Sequence, residues 1–192
     1  MPSFNQRLGT SRYEADALYK EALDAYAKRD YDTAAERLRQ AIELLPTRSE
    51  YHAALGLVLE QDGALDDAAE AFHEALRLFD YEMLAHYGLG MIAFRRRQYA
   101  EAIAHFQKAY FADQKRPETL YYLALSYYHH GDMVNAANYI ALAHARFEEL
   151  GDKRRADSAR WVRELERSIL KKTPKVAGPA TMPLLPSEDE TT

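Results

Sequence analysis

Histidine is the residue type in this chain best suited to metal binding or acid–base catalysis, and the chain has seven. Imidazole ligates metals and titrates near neutral pH. His52 and His86 recur at the same phase of a 34-residue interval, and His129 and His130 are adjacent. No Asp, Glu or Cys recurs at a phase that would complete a metal site, and no zinc-protease, phosphate-binding or nucleophile-elbow motif is present. We therefore expect no metal, no cofactor and no enzymatic activity.

Large apolar side chains recur at the same interval and point to another chemistry, the binding of a protein. One row is aliphatic throughout: Leu23, Leu57, Met91 and Leu125. Two flanking rows are rich in rings: Tyr19, Tyr87 and Tyr121, then Tyr26, Phe94 and Tyr128, with Tyr122 beside them. Tyrosine presents a large amphipathic area at low entropy cost, and methionine adapts its shape to a partner.

The elements that position these rows are predicted by the rest of the same repeat. The units begin at Ala15, Ser49, Met83 and Pro117, and in each the twentieth and twenty-seventh residues are alanine. The eighth residue is always small: Ala22, Gly56, Gly90, Ala124. The twenty-fourth is always large and apolar: Leu38, Phe72, Phe106, Ile140. A fixed period of this length predicts a solenoid, in which small residues let helices approach and the large one fills the space beside them.

This pattern resembles the tetratricopeptide repeat family. The resemblance implies an all-α fold, a right-handed α-solenoid of four helix-turn-helix repeats (15–48, 49–82, 83–116 and 117–150; hereafter repeats 1 to 4). A helix over 152–171 is predicted to cap the stack, so that one repeat domain spans 13–171. We expect residues 1–12 to be flexible. Residues 172–192, which are rich in proline and then acidic, are expected to be disordered.

The resemblance also implies a concave groove, lined by the first helix of each repeat, that holds a peptide or helix of another protein. The residues predicted to line it are Tyr19, Leu23, Tyr26, Leu57, Tyr87, Met91, Phe94, Tyr121, Tyr122, Leu125 and Tyr128. The alternative is that curvature buries the aliphatic row as core. The subtype that clamps an acidic chaperone tail has Lys and Asn where this chain has Tyr19 and Leu23, so that mode of binding is not expected.

Charge and composition exclude further classes of function. The net charge is −5, of which Glu188, Asp189 and Glu190 contribute three, so the body carries about −2 and has no basic footprint for nucleic acid. There is no cysteine, and no apolar run is long enough to span a membrane or to resemble a signal peptide. We expect a cytoplasmic protein.

Three hypotheses follow for function. The first is a non-enzymatic scaffold, adaptor or assembly factor that binds an apolar, aromatic-anchored segment of another protein. The second is a structural homo-oligomer that uses the same groove for self-association. In the third, the groove is regulated by the apolar stretch at 182–186 of the chain's own tail.

Overall fold

The computed structural model of the protein describes residues 4–172, with side chains placed within 11–169. Over this part of the chain nine α-helices follow one another without a strand: α1 (Phe4–Ala27), α2 (Tyr31–Leu44), α3 (Ser49–Asp62), α4 (Leu65–Leu78), α5 (Met83–Arg95), α6 (Tyr99–Ala112), α7 (Pro117–His130), α8 (Met133–Glu149) and α9 (Arg155–Lys172). The all-α solenoid predicted from the period is confirmed. The first helices of repeats 2, 3 and 4 begin at the first residue of each unit.

Helix α1 begins before Tyr13, the first residue of the predicted repeat domain, while the flexibility of residues 1–12 stays a prediction. From Phe4 onward these residues are the opening turns of α1, which is 24 residues long. Residues 4–14 contain several good helix formers and no proline, which lets the helix continue outward from repeat 1, although Gly9 lowers the helix propensity there. At the other end, α9 begins at Arg155, and the predicted disordered tail lies outside the described residues from 173 onward.

The turns within the repeats all use a left-handed backbone, by two different means. Gly63 and Gly131 have φ of 94° and 95°, as helix-terminating glycines do. Arg29 and Arg97 occupy the same turn positions in repeats 1 and 3, with φ of 63° and 60°. A side chain is disfavoured in this conformation, so packing of the helix pair imposes it at these two positions.

The core of each repeat is made by the small and large positions that the period singles out. All eight alanines of the twentieth and twenty-seventh positions are fully buried, and the four large residues at the twenty-fourth position are at most 1% exposed. Phe72 shows why small residues are needed opposite. Its ring lies under both Gly56 and Gly88, and a Cβ built on Gly56 would be only 2.7 Å from the ring.

The helix α9 closes the stack. It packs on α8, and Leu165, which is 1% exposed, joins the buried cluster of Ala124, Ala136 and Ile140. Trp161 and Val162 pack partly buried against the same cluster. The apolar side of α9 therefore covers repeat 4, as predicted for a capping helix.

Candidate functional site: the inner groove

The candidate groove lies on the side where the first helices of the repeats meet. Each helix packs on the next one along the chain, and in addition α3 contacts α5 and α5 contacts α7. Among the described helices, the second helices of successive repeats contact each other less than the first helices do. The stack therefore curves with α1, α3, α5 and α7 on its inner face.

The eleven residues predicted to line the groove are neither core nor freely exposed. Leu23, at the open end on α1, is 45% exposed, and the other ten are half-buried. Curvature does not seal the aliphatic row, because Leu57, Met91 and Leu125 all keep part of their surface in contact with solvent. The aliphatic row is therefore partly exposed to solvent and partly packed against the core.

The carboxyl-terminal half of the groove, formed by repeats 3 and 4 with α9, contains a continuous chain of rings. Tyr122 lies at its centre, with its ring centroid 6.3 Å from that of Tyr87 and 5.8 Å from that of Phe94. It stacks on the buried ring of Phe106 at 6.0 Å and contacts Tyr121 at 5.6 Å. Such pairs add to the energy of burial and fix the ring positions.

The chain of rings extends to the capping helix through His129. This imidazole lies 5.8 Å from Phe94, stacks on Tyr99 at 4.8 Å and contacts Tyr128 at 5.3 Å. Tyr128 in turn meets Trp161 edge-on at 5.0 Å. Together with Arg160 and Glu164, Tyr128 and Trp161 line a cavity of about 250 Å³. Trp161 lies in the helix that was predicted only to cap the stack, and its ring also takes part in this end of the groove.

The amino-terminal half, formed by repeats 1 and 2, has no such chain among its described side chains. Apart from the rings of Phe79 and Tyr81, which lie outside the groove, its ring contacts are two separate pairs, Tyr19 with Tyr51 at 5.1 Å and Tyr26 with Tyr31 at 5.8 Å. In repeat 2 the two flanking positions that carry rings elsewhere are occupied by Ala53 and Glu60, both buried.

Glu60 and Arg95 form an ion pair where the two halves meet. The Glu60 side chain is 2% exposed, and its Oε1 lies 2.9 Å from Nη2 of Arg95, although the two atoms are not aligned for a hydrogen bond. Burial raises the pKa of Glu60, and the neighbouring Arg95 charge opposes that rise. The Arg95 side chain is 43% exposed, so the cation of the pair stays in contact with solvent.

Four of the groove tyrosines have a raised pKa, which favours the neutral phenol. Burial is the main cause that raises the pKa of Tyr87, with the Tyr122 hydroxyl adding to it, and burial likewise raises the pKa of Tyr19, Tyr26 and Tyr121. The Arg116 guanidinium lies over the Tyr87 ring, 5.2 Å from its centroid. These phenols can donate hydrogen bonds to a partner but are not placed to act as bases.

Comparison with known proteins identifies the architecture. The family model described as tetratricopeptide repeat matches residues 19–82, 65–117 and 87–149, which together exceed half of the chain. The chain belongs to the tetratricopeptide repeat family. Proteins of this family are in general protein–protein interaction modules without enzymatic activity, so the chain is a protein-interaction scaffold in that broad sense. No curated protein sequence matches the chain at a significant level.

Solved structures agree in fold with the tetratricopeptide repeat assignment. PilF of Pseudomonas aeruginosa superposes with a TM-score of 0.72 at 19% identity, covering 84% of this chain and 72% of that one. A MamA double mutant of strain RS-1 gives 0.60 at 19% identity, covering 81% and 96%. The Arabidopsis OM64 TPR domain gives 0.58 at 15% identity, covering 62% and 98%. At these identities the likeness concerns the fold alone.

A second apolar surface, which the sequence analysis missed, lies outside the repeat groove. Phe79, Tyr81 and Phe111 are 51%, 59% and 72% exposed, and their rings contact one another in sequence at 6.2 and 6.1 Å. Tyr81 and Phe111 border a cavity of about 850 Å³ between α4, α5 and α6, which we call the seam pocket. The signal was available, since two aromatic residues occupy the break between repeats 2 and 3 where polar residues are usual.

His86, which lines the seam pocket, forms a pair with His105. The Nδ1 atoms of His86 and His105 are 3.2 Å apart, and Nε2 of His86 lies 3.0 Å from the carbonyl oxygen of Asp80. A carbonyl oxygen only accepts, so Nε2 of His86 carries a proton; with His86 neutral, its Nδ1 then accepts a hydrogen bond from Nδ1–H of His105. Burial is the main cause that lowers the pKa of His105 to about 4, and it also lowers the pKa of His86.

The described side chains contain no group of three or more His, Cys, Asp or Glu that could hold a metal ion. The recurrence of His52 and His86 in the sequence does not bring them to a shared site: His52 contacts the carbonyl oxygen of Pro46, whereas His86 contacts His105. In the described part of the chain, no helix is both long enough and apolar enough to cross a membrane.

Proposed function

We propose that the protein is a non-enzymatic scaffold whose inner groove binds an apolar segment of another protein, with its main anchor in the carboxyl-terminal half. The observation that carries this proposal is the continuous chain of rings from Tyr87 to Trp161, in which His129 is exposed and the other groove-facing rings are half-buried. Each ring is supported by another and keeps a solvent-facing surface. Rigid rings of this kind lose little entropy on binding, which is why Tyr and Trp are enriched among residues that dominate interfaces.

The dimensions of the groove suit a short segment. With axial spacings of about 8–10 Å, four first helices give an apolar row roughly 25–30 Å long. A partner helix of about 18 residues would cover that length. The partner segment should be apolar on the face that meets Leu57, Met91 and Leu125, and it should place an aromatic or branched side chain among the rings of repeats 3 and 4.

A double charge substitution tests the proposal. Met91→Glu with Leu125→Glu puts two carboxylates on the floor, and partners that co-purify with the wild-type protein should be lost. Val134→Glu with Leu142→Glu is the matched control, because these residues of α8 are 62% and 49% exposed away from the groove row. Circular dichroism and thermal unfolding check that both variants are folded. Equal recovery of partners by both variants would refute groove binding.

Self-association through the same groove is the alternative structural role. Light scattering across a concentration series distinguishes it, since a homo-oligomer built on the groove should dissociate in the Met91→Glu/Leu125→Glu variant. The cytoplasmic location belongs to the proposal as well, and fractionation of cells that express the protein tests it.

A further inference from the structure

Tyr128 and Trp161 form the aromatic side of a recess at the end of the groove that α9 covers, and Arg160 and Glu164 line the rest of it. Their rings meet at 5.0 Å, both side chains are half-buried, and the cavity beside them is about 250 Å³. A recess of this size takes one or two leucine or proline side chains. Trp161 lies on α9, eleven residues before that helix ends at Lys172.

Basic side chains border the same row of rings. Three centroid steps, of 5.0, 5.3 and 5.8 Å, lead from Trp161 through Tyr128 and His129 to Phe94. Phe94 is followed directly by Arg95, Arg96 and Arg97, and His129 stacks on Tyr99 just beyond them. Arg95 pairs with Glu60 and Arg96 with Asp66, whereas Arg97 has no ion pair among the described residues.

The tail of this chain has the matching chemistry in the matching order. Residues 182–186 read Met-Pro-Leu-Leu-Pro, and Glu188, Asp189 and Glu190 follow. We propose that residues 182–190 of the tail bind back onto their own groove, with the leucines in the Tyr128–Trp161 recess and the three carboxylates at Arg97 and its neighbours. The inference rests on the proposed function, because the tail would occupy the aromatic end of the groove and compete with a partner there.

The reach of the chain fits this placement. Trp161 lies about 16 Å back along α9 from Lys172, at 1.5 Å per residue. The ten residues from Lys172 to Met182 can span up to about 33 Å, so the tail can turn back to the recess with length to spare. Four to six further residues, from Leu184 to Glu188–Glu190, span about 13–20 Å when extended, which is comparable to the path over the rings to Arg95–Arg97.

Fluorescence of Trp161 tests the apolar part of the proposal directly, because it is the one tryptophan in the chain. In the full chain, Leu184→Glu with Leu185→Glu should shift the emission to the red and raise the acrylamide quenching constant roughly twofold, since one ring face returns to water. Val176→Glu with Ala180→Glu adds the same charge to the tail outside residues 182–190 and should leave both values at wild-type levels. Identical quenching in all three proteins would overturn the proposal.

Charge variants test the acidic part. Arg97→Gln should raise the quenching constant part of the way, and so should added salt, because exposed charge pairs are screened. Arg39→Gln, an exposed arginine of α2 on repeat 1, is the control and should change nothing. If Arg97→Gln behaves like Arg39→Gln, the proposed contact of the carboxylates is wrong.

Dilution distinguishes the chain's own tail from the tail of a second copy. Protection of Trp161 should not vary with protein concentration, and protection that disappears on dilution would overturn binding within one chain. The assay contains no partner, so its failure would leave the proposed groove function intact. Loss of partner binding in the Met91→Glu/Leu125→Glu variant is measured separately.

Discussion

Repeats 1–2 and repeats 3–4 build their halves of the groove on the same backbone period but with different side chains. The fifth and twelfth positions are Tyr87, Phe94, Tyr121 and Tyr128 in the carboxyl-terminal half, and Tyr19, Tyr26, Ala53 and Glu60 in the amino-terminal half. Every ring of the first set contacts another ring that lies on a neighbouring helix. A regular scaffold therefore fixes where side chains point, while single substitutions decide how many ring contacts each half of the groove contains.

The largest expected difference between the halves is in partner affinity. Phe94→Ala removes a ring that contacts Tyr99, Tyr122 and His129, whereas Tyr26→Ala, at the same position of repeat 1, removes one that contacts Tyr31. For the co-purified partner, Phe94→Ala should weaken binding at least tenfold and Tyr26→Ala less than about threefold, as interface energy concentrates in a few supported rings. Titration of immobilised protein measures both. Equal losses would mean that the groove binds uniformly along its length.

The ion pair between the halves should respond asymmetrically to substitution. Arg95→Leu leaves the buried Glu60 carboxylate without its cation and should lower the free energy of unfolding by about 1–3 kcal/mol. Glu60→Gln removes the buried charge itself, and its cost should stay below about 1 kcal/mol. Urea unfolding of both variants checks the order. If Glu60→Gln is the more damaging, the pair stabilises the boundary more than its burial costs.

The packing beneath the boundary should also be sensitive to a single methyl group. Gly88→Ala would drive a Cβ into the Phe72 ring that repeat 2 contributes there, and we expect a loss of about 1–3 kcal/mol from overpacking. This outweighs the gain of roughly 1 kcal/mol that alanine gives over glycine within a helix. Thermal unfolding of Gly88→Ala, Phe72→Leu and the double variant is the measurement. The double variant should lose less stability than the two single variants lose together, because a smaller side chain at position 72 leaves room for the new methyl group. If the two losses simply add, position 88 does not press on the Phe72 ring.

The smallest expected effect concerns the seam pocket rather than the groove. It is a dependence of the free energy of unfolding on pH. Because the pKa of His86 and His105 is lowered on folding, the unfolded chain binds more protons than the folded chain below about pH 6.5. Stability should therefore be constant above that pH and fall as the pH drops toward 4, by about 1 kcal/mol between pH 7 and pH 5. His73, Lys108 and Asp80 also face the pair and contribute to its field.

Substitution of one histidine isolates this contribution. His105→Gln can still donate a hydrogen bond to His86 but cannot be protonated, so its unfolding free energy should depend less on pH between 7 and 5. Urea unfolding at each pH, with His130→Gln as a surface control on repeat 4, gives the comparison. An unchanged pH dependence in His105→Gln would show that the pair does not remain neutral in the folded protein.

The fold could be predicted almost completely because its determinants are local and periodic. Alanine at two fixed positions of the repeat and a bulky residue at a third predict a stack of helix pairs. In the structure all of these alanines and bulky residues are buried. The turns at Gly63 and Gly131 were readable for the same reason. The left-handed turns at Arg29 and Arg97 were less so, since residue preference disfavours them and only the packing of the repeats imposes them. The start of α1 was missed, because composition alone says little about a helix that continues past its repeat.

The candidate site was predicted in part. The period placed eleven residues on one face, and the structure places all of them half-buried or exposed on the inner helices. The period did not show that Tyr122 links Tyr87 to Phe94 or that His129 and Trp161 extend the same chain of rings. Nor did it show that Glu60 would be buried against Arg95. Apart from the contact between the adjacent residues Tyr128 and His129, these contacts join residues 28 to 35 positions apart, and they depend on the distances between helices rather than on any local pattern.

The sequence by itself determined the number of repeats, the spacing of the helices and the face that carries apolar side chains. The reason is that side chains point in the same direction every three to four residues along a helix, and equivalent positions recur every 34 residues along the solenoid. Only the tertiary structure decided how far each side chain is exposed, which rings touch and which charges meet. Those quantities depend on curvature and on the approach of neighbouring helices, so the unequal halves of the groove and the seam pocket with its histidine pair emerge only when the repeats are stacked.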